Sequence, residues 1–190
     1  ITPTPTPTPT PVPGPAPFLD LPWDYEGKGL TFNEAANSIN SYFDHEYPLL
    51  SSNLLESGLA IGTLTNYEGK FQTNLQYSRH DGYDYGVNAK VNNGDPVLAA
   101  GAGCATYNLS SAGGNVIKID HDNYYQTQYL HLQNDGLITK DASPCVAVAK
   151  GQKIGPVGAT GNVFPSGEAG AHIHFGVFED KNKDGDFEDN

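Results

Sequence analysis

The chain has 190 residues, 22 acidic against 10 basic, with a formal net charge of −12 and 37% apolar content. No apolar run approaches the roughly 20 residues of a membrane-spanning helix, and the acidity argues against nucleic acid, whose phosphates favour a basic face. With 22 Gly, 14 Pro, 11 Tyr and no Met, a helical bundle is disfavoured and short strands joined by turns are expected.

Residues 1–17, ITPTPTPTPTPVPGPAP, carry proline at nearly every second position. Such a stretch lacks backbone donors, has φ fixed, and reads as an extended linker; a disordered tail is the alternative. It has neither a basic start nor an apolar core, so it is not a signal peptide. Thr-Pro repeats of this kind tether modules outside the cell. The expected setting is therefore extracellular or cell-surface, within a longer parent chain. Residues 18–60 read as an N-terminal extension packing on the domain. Thr31 and Glu34 have capping-box spacing, predicting a helix over 32–43 with Phe32, Ala35, Ala36, Ile39, Tyr42 and Phe43 on one face. His45, flanked by Asp44 and Glu46, is expected on the surface.

From residue 61 the texture changes. VLAA, NVIKIDH, YYQTQYLHL, CVAVAKGQKIG and AHIHFGVF read as strands, separated by glycine turns such as NNGD, AGAG, SAGG and QNDG. The predicted fold is all-β and mainly antiparallel: a two-sheet sandwich or open half-barrel with a groove, plus a short N-terminal helix and long loops. The expected boundaries are 61–178 for this domain and 179–190 for an acidic tail. The only cysteines, Cys104 and Cys145, suit a single structural disulfide in an exported chain; two buried thiols are the alternative.

Six histidines are present, and their arrangement carries the chemistry. HDGYD places His80 and Asp84 four residues apart across a glycine, an imidazole and a carboxylate that can both ligate a first-row metal. HIH places His172 and His174 on one strand face, with Ile173 and Phe175 on the other. Two imidazoles on one face of an apolar strand need polar partners or a metal. His131 lies in YLHL, where alternation puts it on the face of Tyr129, opposite Leu130 and Leu132. His121, at a strand end before a turn, is expected to be exposed.

HDGYD at 80–84, YLHL at 129–132 and HIHFGV at 172–177, in this order, resemble the lysostaphin-type zinc metallopeptidases. GDPVLAAGAG at 94–103, GGNVIKIDH at 113–121 and KGQKIGPVGATGN at 150–162 resemble the segments that family carries between its motifs. The resemblance runs from about Tyr77 to Val177 and implies the family's duplicated hybrid motif fold. It also implies one catalytic Zn2+ held by His80, Asp84 and His174, with a fourth position open to water. His131 and His172 correspond to the two catalytic histidines off the metal, one handling the water proton and the other the oxyanion; which does which stays open. The implied activity is that of a zinc metalloendopeptidase hydrolysing peptidoglycan stem peptides or cross-bridges by zinc-activated water. The family's oxyanion tyrosine has two candidates, Tyr67 and Tyr77. A catalytically inactive wall-binding or hydrolase-regulating relative, or a spacer module with a structural metal, are the competing readings. A monomer is expected, with peptidoglycan peptides as partners and neither nucleic acid nor membrane insertion.

Residues 179–190 hold six of the 22 acids. Asp180, Asn182, Asp184, Asp186 and Glu188, with Gly185 at the sharp turn, follow the first nine positions of a calcium loop. The bidentate acid of position twelve would fall past residue 190. Structural Ca2+ is the expectation here, against a solvated acidic tail.

Overall fold

The computed structural model of the protein describes residues 17–41 and 80–187. Residues 1–16, Tyr42, Phe43, His45, Tyr67, Tyr77 and Glu188 lie outside them, and with them most of the linker, the end of the expected helix and both tyrosine candidates.

Eight strands occur among the described residues: β1 (Tyr83–Tyr85), β2 (Pro96–Leu98), β3 (Gly103–Ser110), β4 (Gly114–Asp120), β5 (Tyr125–Leu132), β6 (Val146–Val148), β7 (Lys153–Pro156) and β8 (Ile173–Glu179). Six form an open antiparallel sheet in the order β1-β8-β5-β4-β3-β6, and β2 pairs with β7 in a second small sheet. The expected mainly antiparallel, open all-β architecture is the one observed. The core is built from the apolar alternation of both sheets. Ile117, Ile119, Tyr129, Ile173 and Phe175 from the large sheet join Val97 and Ile154 from the small one.

Several elements differ from expectation. Residues 145–155 do not form one strand. They turn at Gly151 (φ 78°) and supply β6 to the large sheet and β7 to the small one. The longest unexpected element is β3, whose weak apolar alternation hides it in sequence; pairing with β4 on one side and β6 on the other makes it a strand. Cys104 and Cys145 form the expected disulfide, with Cα atoms 5.4 Å apart, and link β3 to the approach to edge strand β6.

The N-terminal helix α1 is short, Phe32–Ala36, although the capping box between Thr31 and Glu34 is in place. Asn37 and Ser38 turn their side chains back onto the carbonyls of Asn33 and Ala35, local bonds that compete with helix continuation. The chain then straightens, so that Ser41 bridges Asp84. Ala35 is buried as expected, but Phe32 stays half exposed.

His121 is buried rather than exposed. Its Nδ1–H donates to Ala102 O (2.7 Å) and its Nε2 meets Thr127 Oγ1 (3.0 Å), which bonds Tyr129 OH (2.9 Å), which accepts from Ala100 N–H (2.8 Å). A neutral imidazole satisfies every member of this chain. Phe18, from the N-terminal segment, packs edge-on over the ring at 5.6 Å, a covering that local sequence could not announce. The same segment places Trp23 against Tyr85 (centroids 4.3 Å apart) and donates Asp20 N–H to Ala100 O. Trp23 is among the largest fully buried side chains.

Trp23→Ala is expected to cost about 3–5 kcal/mol of unfolding free energy, read from urea denaturation; a loss below about 1 kcal/mol would show that the segment does not share the core. The disulfide closes a separation of 41 residues, so Cys145→Ser should lower stability by up to about 4 kcal/mol in the chain-entropy limit, measured the same way under non-reducing conditions.

Candidate metal centre and catalytic cleft

The first motif becomes the turn into β1, and the last becomes the start of β8. Antiparallel pairing sets Asp84 directly opposite His174, while Tyr83 faces Phe175 and Tyr85 faces Ile173. The alternation expected for the HIH strand is realised: Ile173 and Phe175 join the core, and His172 and His174 line a cleft of about 480 Å³.

Three donor atoms converge there. His80 Nε2 lies 3.0 Å from Asp84 Oδ1, His174 Nδ1 lies 3.0 Å from His80 Nε2, and His174 Nδ1 lies 3.1 Å from Asp84 Oδ1. Tetrahedral zinc with bonds of about 2.0–2.1 Å has ligand–ligand edges of about 3.3 Å, so an opening of a few tenths of an ångström is all that separates this triangle from a zinc-binding face. Among the described residues, no other three His, Cys, Asp or Glu side chains come together this way. The electrostatics agree with a cation site. Burial works against charge on His174, but its bonds to Asp81 and Asp84 outweigh burial and push its pKa up to about 9. Burial would raise Asp84, yet the hydrogen bonds from His174 and His80 hold its carboxyl well below the usual carboxylate range. Donors already drawn together around opposite charges in this way suit a metal cation among them.

Asp81 is a functional candidate that the sequence reading passed over. Its Oδ1 lies 3.0 Å from His174 Nε2, so the Nε2–H is tied to a carboxylate and Nδ1 is left for the metal. That is the outer carboxylate–histidine arrangement that orients metal ligands. The signal was present as a second acid beside His80, but only the fold shows which imidazole it serves.

His131 reaches the cleft against simple alternation. Tyr129 and Leu132 are both fully buried in the core, so an odd number of residues does not separate the two faces as expected. Three residues of β4, from Asn115 to Ile117, oppose four of β5, from Tyr129 to Leu132. His131 takes the resulting bulge with φ 64°. A bulge re-aims one side chain, and a non-glycine residue in this region must be held by its surroundings. Thr160 does the holding. Its hydroxyl accepts from Asn115 N–H (2.9 Å) and donates to Leu132 O (2.8 Å), the backbone groups that the bulge separates. Its carbonyl accepts from His131 Nδ1–H (2.8 Å). The loop can come this close because Gly161 (φ 76°) sits against Gly114 (φ 65°); a Cβ on Gly161 would meet Gly114 N at 2.4 Å.

Burial, reinforced by the neighbouring His172, pushes the His131 pKa down to about 4. The ring is neutral at pH 7, with Nδ1–H committed and Nε2 free. His172 is tethered alike, Nδ1–H donating to Gly170 O (2.7 Å), and its Nε2 lies 3.6 Å from Asp84 Oδ1. The two rings are 4.6 Å apart. Phe164 (90% exposed) and Val87 (72%) stand at the rim, the most exposed large apolar side chains among the described residues.

The acidic tail behaves differently. Asp180 is buried, and its carboxylate accepts from the backbone N–H groups of Lys183 (2.6 Å), Asp184 (3.2 Å) and Gly185 (2.9 Å). Asn182 Nδ2 donates to Asp184 Oδ2 (3.0 Å), and Asp184 Oδ1 accepts from Asp186 N–H (2.9 Å). These side chains organise a turn by bonding its own amides, and nothing in the arrangement supports the calcium expected from the spacing.

The sequence model of Peptidase family M23 matches residues 78–185, more than half of the chain. The peptidoglycan DD-endopeptidase ShyC of Vibrio cholerae is 37% identical over 103 residues, covering 53% of this chain and 20% of that protein. Its relative ShyB is 30% identical over 151 residues, covering 78% and 30%. An uncharacterized lipoprotein of Escherichia coli, YgeR, is 33% identical over 105 residues, covering 54% and 38%. The chain thus spans well under half the length of each of these relatives. Among solved structures, a zinc-containing peptidase from Vibrio cholerae is 34% identical, with a TM-score of 0.42 over 52% of this chain and 26% of that one. Lysostaphin from Staphylococcus simulans is 28% identical, with a TM-score of 0.44 over 55% and 39%. With its motifs, their order and their convergence in one cleft accounted for, the chain belongs to Peptidase family M23, the lysostaphin-type peptidases.

Proposed function

We propose that this chain is a zinc-dependent endopeptidase that hydrolyses peptide bonds of bacterial cell-wall peptidoglycan, in the stem peptide or the cross-bridge, at the cell surface or outside the cell. The observation that carries the reading is the donor triangle of His80, Asp84 and His174, with edges of 3.0–3.1 Å, beside two further histidines whose Nδ1 atoms are tied to backbone carbonyls. His80, Asp84 and His174 would hold the metal. When bound, zinc supplies Lewis acidity, polarising a carbonyl and lowering the pKa of water towards neutrality.

The chain's own residues do the rest. His131 and His172 each have one nitrogen committed to the backbone, so each has Nε2 to offer. One Nε2 takes the proton of the attacking water and returns it to the leaving amine; the other, when its ring carries a second proton at Nε2, donates a hydrogen bond to the developing oxyanion. His131 suits a role that starts from the neutral form, because burial keeps it unprotonated. Asp81 keeps His174 in the tautomer with Nδ1 free. The open cleft, with small residues Ala169, Gly170 and Ala171 along one wall, admits an extended peptide.

Loaded with one zinc per chain, the protein should release new amines from purified peptidoglycan sacculi or from pentaglycine, and chelation should abolish the release. No release from either substrate by the zinc-loaded protein would overturn the reading in favour of a non-catalytic relative. His131→Ala should lose at least about 100-fold in kcat while retaining its zinc, as judged by metal analysis of the same samples. Asp81→Ala should weaken zinc binding about 10- to 100-fold in competition with a chromophoric chelator; unchanged affinity would remove Asp81 from the metal centre.

A further inference from the structure

Asn40 stands in the N-terminal segment, well before the family match begins at residue 78, yet it lines the cleft together with His80, Asp84 and His172. Its backbone N–H donates to Asp84 O (2.8 Å), and Asp84 N–H donates to Ser41 O (2.9 Å). The segment therefore adds a short rung to the outer edge of β1, at the very residue whose side chain belongs to the donor triangle. Asn40 Oδ1 accepts from Gly86 N–H (2.9 Å) and Asn88 N–H (3.1 Å), and Asn88 Nδ2 donates back to Ile39 O (3.0 Å).

Two backbone donors on one side-chain atom settle which end of the carboxamide is oxygen and use both of its lone pairs. The amide plane is thereby locked, and Nδ2 with its two N–H donors has no acceptor among the described residues. Gly86 measures the distance to the chemistry. A Cβ there would lie 3.4 Å from Asn40 Oδ1 and 3.3 Å from His172 Cβ, so the carboxamide and the histidine are separated by the width of one glycine. No Lys or Arg lines the cleft among the described residues. A fixed neutral donor in such a cleft matches a peptide carbonyl.

We infer that Asn40 is a substrate-binding residue, donating from Nδ2 to a backbone carbonyl of the bound peptide one residue or so from the cleaved bond. The inference rests on the endopeptidase reading for the identity of the ligand. It makes the N-terminal segment part of the substrate site as well as of the core.

Asn40→Asp separates this role from support of β1. The carboxylate can still accept from Gly86 and Asn88, but it has no N–H to give. Asn40→Ala loses both functions. With full-length, zinc-saturated protein, Asn40→Asp should raise KM for peptidoglycan peptides roughly 3- to 10-fold with kcat within about two-fold of wild type, since a bond made equally in ground and transition states acts on KM alone. Its melting temperature and zinc content should match the wild type. In parallel, the dissociation constants of pentaglycine and of a cross-linked muropeptide dimer are measured by calorimetry in a His131→Ala background, with and without Asn40→Asp. Unchanged KM and unchanged dissociation constants in the Asn40→Asp proteins would overturn the inference and leave the enzyme reading standing. Binding that weakens with Asn40→Asp, in a wild-type protein that cleaves nothing, would overturn the enzyme reading and keep the donor. Absence of both binding and cleavage would overturn both.

Discussion

The register between β1 and β8 places Asp84 across from His174, and the whole cleft depends on it. Because side chains alternate with period two, a slip of one residue would turn His174 into the core and bring Phe175 out to the metal face. A three-residue strand has little pairing of its own with which to hold such a register. The register is held instead from both faces and from outside. Tyr85 and Phe175 belong to the apolar core, with Trp23 stacked on Tyr85. On the outer edge, Asn40 and Ser41 bond to Asp84. The N-terminal segment thus stabilises the strand that carries one metal-capable carboxylate and covers an edge that would otherwise be open to other strands.

Burial of charge is the second constraint on the site. Asp84 and His174 are well shielded from water, where an isolated ion would be costly. Each is kept charged by the other and by His80 and Asp81. Such a cluster contributes little net stability by itself. Its value is functional, in that it holds the donors together in advance of the cation. His131 belongs to the same environment but meets no carboxylate at bonding distance among the described residues, so burial pushes its pKa down instead. Within a few ångströms, carboxylate partners push the pKa of one imidazole up and burial pushes that of another down.

The acidity of the chain takes on a different meaning along its length. Asp180, buried at the end of β8, spends its oxygens on three backbone amides, so the tail's spacing reflects turn chemistry more than ligand chemistry. Spacing of Asp, Asn and Gly reads the same in both cases, since each side chain has to reach back to its own loop before it can reach an ion. Local pattern cannot separate the two outcomes.

Much of the site was legible because its chemistry is encoded at short range. The H-x-x-x-D and H-x-H spacings, the alternation of Ile173 and Phe175, the glycine turns and the pair of cysteines depend on neighbours within a few residues, where strand periodicity and turn preference are strong. What remained hidden needed contacts across the chain. Alternation put His131 on the face of Tyr129, which the structure buries in the core, and a bulge held by Thr160, 29 residues away, turned His131 into the cleft. His121 looked exposed at its strand end until Phe18 covered it. Asn40 and Ser41, beyond the early end of α1, pair with β1 instead of continuing the helix, and Asp81 had no evident partner until β8 brought His174 beside it. The sequence by itself determined which chemical groups are present and that the fold is built of antiparallel strands. The tertiary structure alone decided which groups meet and which are charged, because register, bulges and burial arise from partners distant in the chain.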